Sequence, residues 1–472
     1  MGSKAIWSCV GSARGSDRPS GLMNDQPIHP PEKTMTLRLI SAAILGLLSA
    51  SVTAATTETG PTVLHCAHVF DAKTGKMRGE TSILIENGRI TSLLDGHVVP
   101  DNLQSELNIP GMTCLPGLID SHVHLTMEFS KSSYSDKFRM NPADDAIRGT
   151  VYARRTLDAG FTTVRNLGDG DNASVALRNA INGDIVPGPR IYTAGGAIGS
   201  TGGHADPTNG FRWDLQGDPD SKNGIVNSPE DAWKAVRQHY KDGADLIKIM
   251  PSGGVLDESS SADNAQMTIP EIEAVVAAAH DYGFTVAAHA HGAEAIRRAT
   301  VAGVDSIEHG TYMDDADMKL MKEHGTWYVP TIIAGKYVEE KAKEGWFPPQ
   351  IARKAEEVGP VIQKTAGKAY KSGVKIAFGT DAGVYPHGQN AKELEYMVEA
   401  GMPNAFVLQT ATTHAAELLK QSANVGSLEP GKYADIIGVM GDPLADITVM
   451  QHVDFVMKGG VVFKQGSNSP AN

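Results

Sequence analysis

Pro116-Gly117-Leu118-Ile119-Asp120-Ser121-His122-Val123-His124 is the stretch on which the reading of the chain turns. The four residues before it are apolar or small and read as the end of a buried strand. Residues i and i+2 of an extended chain point the same way, so His122 and His124 can reach one ion. Imidazole is a common ligand for zinc and similar metals. A bare His-x-His pair is more often two histidines in a surface turn. The Pro-Gly entry and the adjacent Asp120 favour the metal reading.

Working outward, the pattern becomes strand, loop, helix, repeated. Eight strand candidates follow one another: Cys114–Ile119, Thr162–Asn166, Arg190–Ala194, Leu246–Met250, Thr285–His289, Ser306–His309, Trp327–Val329 and Lys375–Gly379. Helical stretches separate them. Thr268-Ile269-Pro270-Glu271 has capping-box spacing ahead of the stripe Ile272, Val275, Val276 and Ala279. Ser228-Pro229-Glu230-Asp231 supplies a cap, a proline at the first helical position and early carboxylates. Helices near Ile147–Leu157 and Ala293–Ala302 are expected to end at Gly160 and Gly303. Eight such units over residues 114–424 predict an α/β fold, a (β/α)8 TIM-type barrel.

Short β-rich runs flank that region on both sides: Thr62–Asp71, Ser82–Ile85 and Arg89–Leu94 early, with Ala434–Met440, Val453–Lys458 and Val461–Lys464 late. They predict a small β-sandwich built from 56–113 plus 425–466. The first 34 residues, rich in Gly, Ser and Pro, read as a disordered leader or a mis-called start. From Met35, Arg38, the apolar run Leu39–Ala50 and small residues at Val52-Thr53-Ala54 have the layout of a signal peptide over 35–55. Cleavage near Ala54 or Ala55 would make the protein secreted or periplasmic. The apolar run is too short for a stable membrane span. After cleavage two cysteines remain, Cys66 and Cys114, either paired or free. Residues 467–472 form a short tail.

The chain of 472 residues is 41% hydrophobic, which suits a globular enzyme. A net charge of −13 argues against nucleic-acid binding, which needs a basic face.

Catalytic groups of such a barrel sit at the C-terminal strand ends. The first predicted strand ends in His122 and His124, the fifth in His289, the sixth in His309 and the eighth in Asp381. The fourth carries Lys248 among Leu246, Ile247, Ile249 and Met250. A buried unpaired lysine cation is costly. It either snorkels to the rim, or desolvation favours its neutral amine, which can add CO2 and become an anionic, bridging carbamate. His204, in the loop Gly202-Gly203-His204-Ala205-Asp206, and His291 are candidates to bind a substrate carbonyl or carboxylate; each can also be structural. Arg165 is a candidate substrate contact or a structural ion pair. Tyr385 and His387, after the eighth strand, are candidate pocket residues.

His122-Val123-His124, Lys248, His289, His309 and Asp381, in this order, resemble the binuclear metal set of the amidohydrolase superfamily. Pro116–Asp120, Gly310, Gly426-Ser427-Leu428-Glu429-Pro430-Gly431-Lys432-Tyr433-Ala434-Asp435 and Gly441-Asp442-Pro443-Leu444 are similar to its branch of imidazolonepropionase-like proteins and prolidases, and within that to ochratoxin A-hydrolysing amidohydrolases and ochratoxinase. The resemblance implies two divalent ions, zinc by expectation. His122, His124 and Asp381 would hold the more buried one, and His289 and His309 the more exposed one. The carbamate of Lys248 and a hydroxide would bridge them. The hydroxide would attack a scissile carbonyl, and Asp381 would pass its proton to the leaving amine, with His291 assisting. The implied partner is a small amide: an N-acyl amino acid, a dipeptide or ochratoxin A, from which phenylalanine would be released. An X-Pro dipeptidase, a cyclic-amide hydrolase or deaminase on the same barrel, and a binder without turnover stay open. Family members also imply a homo-oligomer.

Overall fold

The computed structural model describes residues 61–257 and 261–466. The expected leader, signal peptide and tail lie outside the described residues. The described chain is of mixed α/β type.

Two short sheets consist of parallel strands only. One holds Leu118–Val123, Phe161–Asn166 and Arg190–Thr193; the other holds Ile247–Ile249, Val286–Ala290, Ser306–His309 and Trp327–Val329. Six of these strands are buried at every position: Leu118–Val123, Phe161–Asn166, Ile247–Ile249, Val286–Ala290, Ser306–His309 and Trp327–Val329. That is the mark of parallel strands covered on both faces. Isolated parallel bridges extend the pairing beyond the sheets, at Ile198 with Ile249, Tyr328 with Ile376 and Val123 with Ala382.

Two of the expected strands differ. Cys114–Ile119 is divided, because Ser105–Pro116 ends in one sheet and Leu118–Val123 begins another. The division falls at Gly117, whose N–H donates to the Asp435 carbonyl at 2.8 Å. A Cβ at Gly117 would run into the Thr162 side chain, so only glycine permits this close crossing. The expected strand Lys375–Gly379 forms no ladder. It is pinned on one side by two bonds with Tyr328, Tyr328 N–H to Lys375 O at 2.8 Å and Ala377 N–H to Tyr328 O at 3.0 Å, and on the other by Ser121 N–H to Phe378 O at 2.9 Å.

The strands from the two chain ends do meet, in one eight-stranded sheet. Its order is Val461–Gln465, Val453–Lys458, Ile436–Met440, Ser105–Pro116, Thr62–Asp71, Thr81–Glu86 and Arg89–Asp95, with Lys76–Arg78 paired to Thr62–Asp71. The hairpin between Thr81–Glu86 and Arg89–Asp95 turns at Asn87 and Gly88, with φ of 51° and 74°, the left-handed pair that matches strand twist. Cys66 and Cys114 sit on neighbouring parallel strands and form a disulfide, Cα atoms 5.9 Å apart.

The helix signals are seen as expected. Helix Pro229–Asp242 begins at Ser228, whose hydroxyl accepts from Asp231 N–H at 3.2 Å. Helix Ile269–Asp281 begins with Glu271 accepting from Thr268 N–H at 2.8 Å, and Ile272, Val275, Val276 and Ala279 are buried. Their apolar stripes pack in one core cluster with Ile247, Ile249, Val286 and Ala288 of the parallel strands. No helix among the described residues is long and apolar enough to cross a membrane.

Candidate metal centre

The strand ends deliver eight titratable side chains to one cavity of about 220 Å³: His122, His124, His204, Lys248, His289, His291, His309 and Asp381. Its remaining wall is mostly apolar, including Met250, Val255, Leu256, Val338 and Ile362.

The tightest group is His122, His124 and Asp381, whose ligand atoms all lie within 4.8 Å of one another. Asp381 Oδ1 is 3.1 Å from His124 Nε2 and 3.5 Å from His122 Nε2. Zinc bonds of about 2.0–2.2 Å in a tetrahedron put neighbouring donors roughly 3.3–3.5 Å apart. Lys248 Nζ lies 3.5 Å from His122 Nε2. The His309 ring is 4.9 Å from that of His122 and 4.6 Å from that of His289.

Each ring is turned by a partner on its other nitrogen. His122 Nδ1–H donates to Glu308 Oε2 at 2.9 Å, and His124 Nδ1–H to the Gly168 carbonyl at 2.9 Å. Both then present an Nε2 lone pair toward Asp381. His289 is reversed: its Nε2–H donates to the Gly253 carbonyl at 3.0 Å, leaving Nδ1 as the free lone pair. His309 Nδ1 pairs with Thr331 Oγ1 and His291 Nδ1 with Thr311 Oγ1, each at 2.8 Å.

Two of these residues hold unusual backbone. His309 and Asp381 have φ of 68° and 61°, the left-handed region that side-chain-bearing residues seldom adopt. Such strain persists only where surroundings impose it. Around Asp381, Asp120 accepts from Thr380 N–H at 3.1 Å and Thr380 Oγ1–H at 2.6 Å, and Asp381 N–H donates to His122 O at 2.7 Å. Around His309, the Tyr328 hydroxyl donates to its carbonyl at 3.0 Å.

Burial sets the protonation of the cluster. Desolvation, helped by Lys248, lowers His122 to about 4. Desolvation lowers His291 to about 3, and His289 and His309 well below the usual imidazole range. Burial thus favours the neutral form of these rings. Desolvation also brings Lys248 down to about 8, although Glu308 and Asp381 oppose it. Burial pushes Asp381 up, but His122, His124 and Lys248 together outweigh it and keep the carboxyl below its ordinary value.

Three expected pocket residues lie elsewhere. Arg165 is buried outside the cavity wall, donating to Ser121 O at 2.6 Å, Ser306 Oγ at 3.1 Å and Glu308 Oε1 at 2.8 Å. Of its two candidate roles the ion pair is the one seen: all three bonds tie it to residues of Leu118–Val123 and Ser306–His309, and it does not line the cavity. Tyr385 is fully buried in the core against Tyr337 and does not line the cavity. His387 does not line the cavity either: its Nε2 is 2.9 Å from Met127 O and its Nδ1 is 3.5 Å from Thr156 Oγ1. His291 does face the cavity, although its strand ends at Ala290.

Sequence reading passed over Glu308 and Asp257. Glu308 is completely buried, and although desolvation opposes ionisation, Arg165 and His122 pull it down to about 2. A glutamate inside the apolar run before His309 was the available signal. Asp257 Oδ2 accepts from His204 Nδ1 at 2.6 Å, and its Oδ1 accepts from Lys354 Nζ at 2.9 Å. Nothing in the local sequence linked residues that far apart.

The comparisons agree with this geometry. Residues 113–463 match the model of the amidohydrolase family. Ochratoxinase of Aspergillus niger is 32% identical over 383 residues, 76% of this chain and 77% of that one. The solved structure of a Xaa-Pro dipeptidase with methionine bound in its active site is 47% identical, with a TM-score of 0.84 over 86% of this chain and all of that one. A prolidase complexed with N-methylphosphonate-L-proline is 32% identical, with a TM-score of 0.79 over 86% of this chain and all of that one. Donor set, fold and relatives converge, and the chain belongs to the amidohydrolase family as a hydrolase of amide bonds.

Proposed function

We propose that this chain is a two-metal hydrolase that cuts the amide bond between an acyl group and an amino acid. The observation that carries the reading is the convergence of His122, His124, Lys248, His289, His309 and Asp381 on one cavity, with ring nitrogens already turned toward it. In this reading the parallel strands form a (β/α)8 barrel, supported by the bridges at Ile198, Tyr328 and Val123. The end-of-chain strands are its accessory β-domain.

The donor chemistry fits two divalent ions, zinc before harder cations. His122, His124 and Asp381 would hold one, His289 and His309 the other. The neutral Lys248 amine would add CO2, lose a proton and become the carboxylate between them. Bound there, the ions would lower the pKa of water and polarise the scissile carbonyl.

The chain's own groups do the rest. Asp381, held ionised, takes the proton of the attacking water and delivers it to the leaving nitrogen. His291, anchored by Thr311, stands beside His289 and His309 to hydrogen-bond the carbonyl oxygen. His204, braced by Asp257, would hold the carboxylate on the amino-acid side. The apolar wall would take the acyl group.

Two substrate readings have separate support. An N-acyl amino acid, including ochratoxin A with release of phenylalanine, is supported by the likeness to ochratoxinase. An X-Pro dipeptide is supported by the likeness to the dipeptidase and the prolidase. Export is supported by the disulfide, since such bonds persist in oxidising compartments.

The test is a panel of N-acyl amino acids, X-Pro dipeptides and ochratoxin A, incubated with zinc-loaded protein and read by mass spectrometry of the released amine. Asp381→Asn, assayed at saturating zinc with the bound metal counted, should lose about 10²- to 10⁴-fold in turnover. Full turnover by Asp381→Asn, or an inert wild type across the panel, would remove the reading.

A further inference from the structure

A second cluster of ligand-type side chains lies on the eight-stranded sheet, and none of its members lines the catalytic cavity. His65 lies on Thr62–Asp71, Glu106 on Ser105–Pro116, and His97 in the loop after Arg89–Asp95. We propose that His65 Nε2, His97 Nε2 and Glu106 Oε1 form a divalent-cation site, selective for zinc by its two imidazoles and one carboxylate.

The distances suit one ion. Glu106 Oε1 is 3.3 Å from His65 Nε2 and 3.6 Å from His97 Nε2, and all three donor atoms lie within 4.8 Å of one another. A tetrahedral zinc with bonds of about 2.0–2.2 Å needs separations of roughly 3.3–3.5 Å. Water would take the fourth position.

The tautomer of His65 points the same way. The Ser82 hydroxyl donates its single hydrogen to the Gly96 carbonyl at 2.7 Å. It therefore accepts at its oxygen, from Val98 N–H at 2.8 Å and from His65 Nδ1–H at 2.9 Å. With Nδ1 carrying the proton, the neutral ring has its lone pair on Nε2. That atom is buried, has no hydrogen-bond partner, and faces a carboxylate oxygen. A lone pair against a carboxylate is repulsive unless a cation stands between them. His65 is 6% exposed, so bulk water does not relieve the contact.

Glu106 is also held for the task, since Asn108 Nδ2 donates to the same Oε1 at 3.0 Å. His97 is the adjustable member. Its ring stacks on His65 at 3.7 Å with planes 21° apart, so the two lone pairs run side by side. His97, with its side chain 48% exposed, must tilt to converge on the ion. The ion would then fasten the loop after Asp95 to two strands of the sheet.

The experiment counts zinc. Wild type, His97→Ala and Glu106→Gln are stripped with chelator and titrated with zinc against a chromophoric chelator, with bound metal confirmed by elemental analysis. Wild type should bind one more zinc per chain than either variant, and the excess ion should raise the melting temperature of wild type alone. Both substitutions are partly exposed, and Glu106→Gln keeps the side-chain shape, so folding is checked by circular dichroism in two independent variants. Equal zinc counts in all three proteins would overturn the site. That outcome does not touch the catalytic reading, because the cavity ligands are unchanged in every protein compared.

Discussion

Glu308 joins His122 to Arg165: its Oε2 is 2.9 Å from His122 Nδ1 and its Oε1 is 2.8 Å from an Arg165 guanidinium nitrogen. All three side chains are buried, His122 and Arg165 at 1% exposure and Glu308 at 0%. The relationship fixes which nitrogen His122 turns to the cavity. Glu308→Gln keeps the shape but offers an amide where Arg165 needs an anion. Outer-shell partners of metal-bound histidines are worth about 10- to 100-fold in metal affinity, and that loss is expected in a chelator competition. Breaking the buried pair should also cost about 3–5 kcal/mol of stability, read by chemical denaturation. Unchanged metal affinity would show that His122 keeps its tautomer without Glu308.

Lys248 is the one amine among the described residues that line the cavity, and its ammonium form is poorly solvated there. Equilibration with ¹³C-bicarbonate should produce a carbamate carbon signal in zinc-loaded wild type and none in Lys248→Ala. The variant should bind fewer ions per chain and lose turnover. Full occupancy and full rates in Lys248→Ala would contradict a bridging role.

The Asp257 carboxylate bonds to both His204 and Lys354. If His204 grips the amino-acid carboxylate, His204→Ala removes one charge-assisted hydrogen bond, worth about 1.5–3 kcal/mol. KM should then rise roughly 10- to 100-fold with a smaller change in kcat. Asp257→Asn should shift KM in the same direction by loosening the ring. A substrate amidated at its carboxylate should show no such difference between wild type and His204→Ala.

Glu429 bonds to Lys73 at 2.7 Å and to the Ser427 hydroxyl at 2.6 Å, with Lys432 at 3.3 Å. Partial burial pushes its carboxyl up, but these partners prevail and lower it to about 2. A carboxyl with a depressed folded value stabilises above its unfolded pKa and loses that contribution as pH falls. Wild type should therefore exceed Glu429→Gln in stability at pH 6, by about 1 kcal/mol or less for so exposed a network. The gap should close between about pH 4.5 and pH 2. A gap independent of pH across that window would assign the effect to packing.

Local signals were strong along this chain. The caps at Ser228 and Thr268, the buried stripe from Ile272 to Ala279 and the strand runs all depend on neighbours within a few residues. The order of His122, His124, Lys248, His289, His309 and Asp381 was legible for the same reason. Each sits at or inside a short apolar run, and parallel strands place such positions on a common rim.

What the polypeptide order alone determined is thus the alternation of elements and the identity of the cavity donors. The tertiary structure decided which nitrogen each histidine offers, the pairing of Cys66 with Cys114, the withdrawal of Arg165 and Tyr385 from the cavity, and the left-handed turns at His309 and Asp381. These depend on contacts between residues tens to hundreds of positions apart. Side-chain orientation and register follow from packing across the sheets, which no local pattern encodes.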